Sequence, residues 1–122
     1  MTALTLACLL ALLAAVGHSY LSERMYLRPL RAETGADSVF SNDASKRLVT
    51  AMFHSPSLCW LGLAISMLLL EPACGGYVET LLCYAGIFGI SGLGNFWATG
   101  RPHFGGIMLL SASGLILVAL YT

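Results

Sequence analysis

Four long apolar runs dominate the chain, at about residues 2–20, 48–70, 77–97 and 103–121. An α-helix rises about 1.5 Å per residue, so about 20 residues cover a hydrocarbon core of ~30 Å, and each run is long enough to cross one. The polar stretch at about 28–45 is the longest break between runs and carries Gly35, Asp37, Asn42 and Asp43, all turn formers. The pattern predicts four helices in one membrane domain over residues 1–122.

Local signals set the expected boundaries. Arg28-Pro29 is expected to stop the first helix just beyond the membrane, because proline lacks the amide hydrogen and disfavours a helical residue before it. Glu71-Pro72 is expected to stop the second. Gly75-Gly76 suits a tight turn, and Glu79 suits the positive end of the third helix. Thr99-Gly100-Arg101-Pro102 reads as a short turn with Pro102 near the first helical position of the last span, making the third and fourth helices antiparallel neighbours. Asp43 or Ser45 is the expected N-cap of a second helix that begins before the membrane.

Composition fixes the solvent. Hydrophobic residues make up 57% of the chain and charged residues only 10%, with a mean hydropathy of +0.80. A water-soluble domain of this length could not cover so much apolar surface, whereas lipid accepts an apolar exterior directly. Net charge is zero and no basic patch is interleaved with aromatics, which argues against a nucleic-acid partner.

Charge placement predicts orientation. Arg24, Arg28, Arg31, Lys46 and Arg47 lie between the first two runs and Arg101 between the last two, while the segment from Glu71 to Glu79 carries only acids. Basic loops stay in the cytoplasm. The expectation is therefore an all-α polytopic membrane protein, an antiparallel four-transmembrane-helix bundle, N-out and C-out, with the loop at about 28–45 inside. The first run has no preceding positive region, is long, and is followed by its basic cluster, so it reads as a retained helix and not as a cleaved signal peptide.

In lipid, helices associate through small residues and occasional hydrogen bonds. Ala3, Ala7, Ala11 and Ala15 recur every fourth residue of the first span, with Ser19 continuing the row. Ala85 and Gly89 repeat that spacing in the third, amid Gly86, Ser91, Gly92 and Gly94, and Gly62 and Ser66 do so in the second. These are the candidate packing residues. Tyr20, Tyr26, Tyr77, Trp97 and Tyr121 fall at predicted ends, as interfacial aromatics do. Trp60 lies about 18 Å beyond Leu48, where its indole N–H needs an acceptor inside the protein.

His18, His54 and His103 all fall near the basic face, and ionisable groups in a span are read as functional first. Side chains lean toward the N-terminus of their own helix, so His18 and His54 on oppositely running helices lean toward each other and His103 leans away. A metal ion or haem is the cofactor class that such histidines suit. The plainer alternative is three interfacial imidazoles with no cofactor. Glu23 is the nearest carboxylate, Asn95 is placed either to orient an imidazole or to tie two helices together, and Pro56 leaves a carbonyl free for Ser55 or Ser57 to compensate. Cys8, Cys59, Cys74 and Cys83 form no C-x-x-C pair and read as packing residues, with Cys74 and Cys83 the one pair near enough to a common face to bond. No nucleophile elbow, zinc-protease helix or phosphate loop is present.

The stretch His18-Ser-Tyr-Leu-Ser-Glu-Arg-Met-Tyr-Leu-Arg-Pro-Leu, followed by His54 and by Arg101-Pro-His, resembles small uncharacterised four-span membrane proteins of bacteria. That resemblance implies an architecture and a bacterial inner-membrane location, and no activity. The chain is similar in outline to small multidrug-resistance transporters, but these use a glutamate inside the first span, and none is present here. It also lacks the cysteine pairs of four-span quinone-linked thiol oxidoreductases. The leading functional expectation is a non-catalytic protein that works by helix association in the lipid bilayer, as an accessory subunit beside other membrane proteins or as a homo-oligomer. The alternatives are a metal-, haem- or quinone-associated redox protein using His18 and His54, and a small transporter.

Overall fold

Five α-helical segments and one π-helical turn make up the computed structural model, which describes residues 2–33 and 40–121, with no strand among them. Helix α1 spans Ala3–Leu21 and is capped by Thr2, whose hydroxyl accepts the Thr5 N–H at 3.2 Å. It runs on through a π-helical turn, Ser22–Leu27, into α2, Arg28–Ala32. Helix α3 spans Asp43–Leu69, α4 Tyr77–Thr99 and α5 Phe104–Tyr121. The four helices Ala3–Ala32, α3, α4 and α5 are each long and apolar enough to cross a membrane.

Three boundaries differ from expectation, each for a local reason. Pro29 does not end the first helix. Within the π turn the Arg28 N–H reaches the Glu23 carbonyl, five residues back, and Pro29 sits in the opening turn of α2, where a missing N–H costs nothing. The N-cap of α3 is Asn42, ahead of Asp43 and Ser45, and its side-chain oxygen accepts the Ser45 N–H at 2.8 Å. Pro102 precedes α5, and His103 takes the capping position: its carbonyl accepts from Ile107 and its Nδ1 from the Gly106 N–H at 3.2 Å. The expected loop at about 28–45 is therefore helical at both ends, and Gly35 and Asp37 lie outside the described residues.

Glu71-Pro72 follows the end of α3 as expected. Gly76, with φ of 83°, leads into α4, and Gly100, with φ of 65°, closes it; both occupy the left-handed region that glycine enters without strain.

Helix α1 packs against α3 on one side and α5 on the other, and α5 packs against α4. Cross-helix pairs fix the directions. Ser19 meets His54 while Arg31 meets Thr50, so α3 runs antiparallel to α1. Trp60 meets Ser91 while Ser66 meets Tyr84, so α4 runs antiparallel to α3. Ser113 meets Ala85 while Gly106 meets Gly92, so α5 runs antiparallel to α4. The start of α3, the end of α4 and the start of α5 therefore share one end with Arg24, Arg28 and Arg31.

Small side chains fill the interior and large apolar ones cover the outside. Ala7, Ala11, Ala14, Ala15, Ala64, Ala85 and Ala112 are buried around Phe88, Leu109 and Ile116, whereas Val16, Leu69, Ile90 and Trp97 are mostly exposed. That distribution suits a solvent as apolar as the side chains it meets. The tightest crossing joins α4 to α5. A Cβ on Gly92 would lie 2.7 Å from Leu110 Cγ and 2.9 Å from the Gly106 carbonyl oxygen, and one on Gly106 would enter the Phe96 ring.

Candidate functional site

Ser19 and Glu23, four residues apart, fall on one face where α1 gives way to its π turn, and His54 of α3 lies opposite. The Ser19 hydroxyl is 2.9 Å from His54 Nδ1. On the other side of the ring, His54 Nε2 is 3.9 Å from Glu23 Oε2. Glu23 in turn holds Arg31, whose Nη1 donates to Oε1 at 2.7 Å and whose Nη2 donates to Thr50 Oγ1 at 3.2 Å. Arg28 stands 3.7 Å from the same carboxylate. The result is a chain of polar contacts, Ser19–His54–Glu23–Arg31–Thr50, that crosses three times between the first helical segment and α3.

The π turn makes this arrangement. It adds about a residue per turn over Ser22–Leu27, with Glu23 in its first turn, and Arg28 and Arg31 beyond it come back to the carboxylate. Beside the cluster the Tyr26 and Phe53 rings stack at 5.6 Å, and Arg24 donates to the Tyr20 hydroxyl at 2.7 Å.

Chemically, the facing carboxylate favours a proton on His54 Nε2, which leaves Nδ1 to accept from Ser19. Serine, histidine and glutamate in a row resemble a nucleophilic relay, but acyl transfer also needs donors for an oxyanion. Ser19 lies inside α1, where backbone amides are already spent on the helix. The arrangement can bind, orient and exchange a proton.

The other histidines have different surroundings. His18 stands edge-on to Trp60, ring centres 5.1 Å apart. His103 caps α5 and meets Phe96 edge-on at 6.3 Å. Among the described residues no group of three His, Cys, Asp or Glu side chains is placed to hold one metal ion. His18 has His54 and His103 within electrostatic range and the Phe53 backbone as a hydrogen-bond partner, while His54 makes its closest contacts with Ser19 and Glu23. Asn95 neither orients an imidazole nor ties helices: its amide donates to the Ser91 carbonyl of its own helix at 2.8 Å. Trp60 does find an acceptor, Ser91 Oγ at 3.2 Å.

Of the expected packing residues, Ala7, Ala11, Ala15 and Ala85 are buried and Ala3 is half-buried. Gly89 lies where an added Cβ would come 3.2 Å from Ser113 Oγ, and Ser113 donates to the Ala85 carbonyl at 2.7 Å. Ser66 lies 2.7 Å from the Tyr84 hydroxyl. Gly62 faces outward with nothing within 4 Å of an added Cβ, so it makes no close packing. Ser57, expected to help satisfy the carbonyl freed by Pro56, has a buried hydroxyl with no partner. All four cysteines are free; Cys8 packs inside, and Cys59, Cys74 and Cys83 are exposed.

Sequence reasoning missed Ser19 as a partner of His54, together with Arg31, Thr50 and Ser91. The signal available was the spacing of Ser19 and Glu23, which puts both on the face of α1 that an antiparallel α3 must cross.

A shallow, open groove of about 500 Å³ runs along one face of α3, from Lys46 and Arg47 past Thr50 and His54 to Leu58. No protein-family model, curated protein or solved structure matches the chain.

Proposed function

We propose that this chain is a multi-pass membrane protein, an antiparallel four-helix bundle with its basic end in the cytoplasm and the start of α1 and the end of α5 outside, which acts by associating with another membrane subunit or with itself. The observation that carries this reading is the sparse burial of α3. In its most apolar stretch only 17% of positions are buried, the lowest share of the four spans. It leans on α1 and reaches α4 mainly through the Trp60–Ser91 and Ser66–Tyr84 pairs.

A span so thinly covered by its own chain has outer surface to offer another helix. Lipid supplies no hydrophobic drive for such contacts, so small or polar positions matter, and Gly62 and Cys59 lie exposed on α3. A metal-binding role for His18 and His54 has less support, because among the described residues no group of three His, Cys, Asp or Glu side chains is placed to hold one ion. For a transporter, Glu23, the carboxylate in the polar cluster, is tied to Arg31. Bacterial inner-membrane residence rests on the resemblance of the His18–Leu30 stretch.

Native mass spectrometry of mildly extracted membranes tests the proposal. A complex larger than one chain, abolished when Gly62→Leu crowds the outer face of α3, is expected; a lone monomer from native membranes, with no co-purifying subunit, contradicts it.

A further inference from the structure

We infer that the groove along α3 seats one anionic phospholipid, its phosphate held at Lys46 and Arg47 and an acyl chain lying past Ala51 toward Leu58. The inference rests on the membrane reading above, and not on the association partner.

Three observations converge on this occupant. The first is dimension. From Lys46 to Leu58 is twelve residues, about 18 Å of helix, close to the ~15 Å depth of one leaflet. The second is polarity along that length: the cations are at the end of α3 shared with the other basic residues, Thr50, His54 and Ser55 follow with Ala51 among them, and the far end is Leu58. A phospholipid has the same order of charge and chain. The third is charge balance at the mouth. Arg31 and Arg28 face Glu23, and Lys46 is paired with Asp43 at 3.1 Å, but Arg47 is exposed and has no acidic partner among the described residues. An incoming phosphate would complete that set, because a guanidinium donates to two phosphate oxygens at once.

The wall of the groove is also ready for a headgroup. Thr50 and His54 line it, and Thr50 is held by Arg31 while His54 is held by Ser19. A lipid seated there would lie against both contacts that join α1 to α3 at this end.

The test uses the full chain in nanodiscs of phosphatidylcholine with and without equimolar phosphatidylglycerol, followed by native mass spectrometry of retained lipid. Wild-type protein is expected to retain one phosphatidylglycerol in preference to phosphatidylcholine. Arg47→Gln is expected to lower that retention about fivefold, the effect of one basic residue at an anionic surface, and Leu58→Trp to lower it by filling the groove. Arg101→Gln removes a cation from the same end but away from the groove, and is expected to change nothing. Inorganic phosphate is expected not to displace the lipid. The inference is overturned if the two lipids are retained equally, if Arg101→Gln acts as strongly as Arg47→Gln, if Leu58→Trp has no effect while circular dichroism shows the variant folded, or if phosphate alone competes. The same spectra report oligomeric state, so failure of lipid retention and failure of association are read separately.

Discussion

Ser19 and His54, on the first and second spans, face each other with 2.9 Å between hydroxyl oxygen and Nδ1. This side-chain contact joins α1 to α3 and is part-buried. A single hydrogen bond between membrane helices contributes about 0.6 kcal/mol on average, and up to about 1.7. Ser19→Ala is therefore expected to lower stability by about that amount in detergent unfolding. In a double-mutant cycle with His54→Ala, the two changes should be less than additive by a similar margin; full additivity would mean that the pair is adjacent but not coupled.

Close approach of α4 and α5 gives a sharper expectation. Gly92→Ala must push against the Gly106 carbonyl as well as the Leu110 side chain, and backbone cannot yield cheaply. A loss of about 1–3 kcal/mol is expected, typical of overpacking. Gly86→Ala, on the same helix with nothing within 4 Å of the new Cβ, should be neutral or stabilising by up to about 1 kcal/mol through helix propensity. Thermal unfolding of the two variants side by side reads the difference; equal effects would place the α4–α5 contact elsewhere.

Trp60 combines bulk with a single polar atom. The side chain is 5% exposed, stands edge-on to His18 and donates to Ser91. Trp60→Phe keeps most of the volume and is expected to cost about 1 kcal/mol for the lost bond, whereas Trp60→Ala should cost about 3–5 kcal/mol through the cavity it leaves. Chemical denaturation of both variants separates the two contributions, and near-identical losses would show that the hydrogen bond, not packing, dominates.

The spans were legible because length and apolarity alone decide what a bilayer accepts: the run at 77–97 became Tyr77–Thr99, and that at 103–121 became Phe104–Tyr121. Helix ends were less so. Proline was read as a stop at residue 29, but a π turn upstream gave it a permitted position, and no residue type announces such a turn. The histidines gathered at one end of the spans, as their spacing implied, yet their partners depended on helix rotation, which apolar sequence all round a helix does not specify. His54 accordingly makes its closest contacts with Ser19 and Glu23. Among glycines, spacing cannot tell Gly62, which faces outward, from Gly92, which faces Gly106; only the crossing of two backbones distinguishes them.

Native Cys74, exposed in the acidic turn between α3 and α4, is a ready probe for orientation. With Cys8, Cys59 and Cys83 replaced by alanine, a membrane-impermeant maleimide applied to intact cells is expected to label Cys74. In a companion protein in which Cys74 is also replaced and Ser41→Cys supplies the single thiol, labelling should appear only after the membrane is permeabilised. Labelling of the Ser41→Cys thiol in intact cells, with Cys74 protected, would contradict a membrane protein whose arginine-rich end faces the cytoplasm.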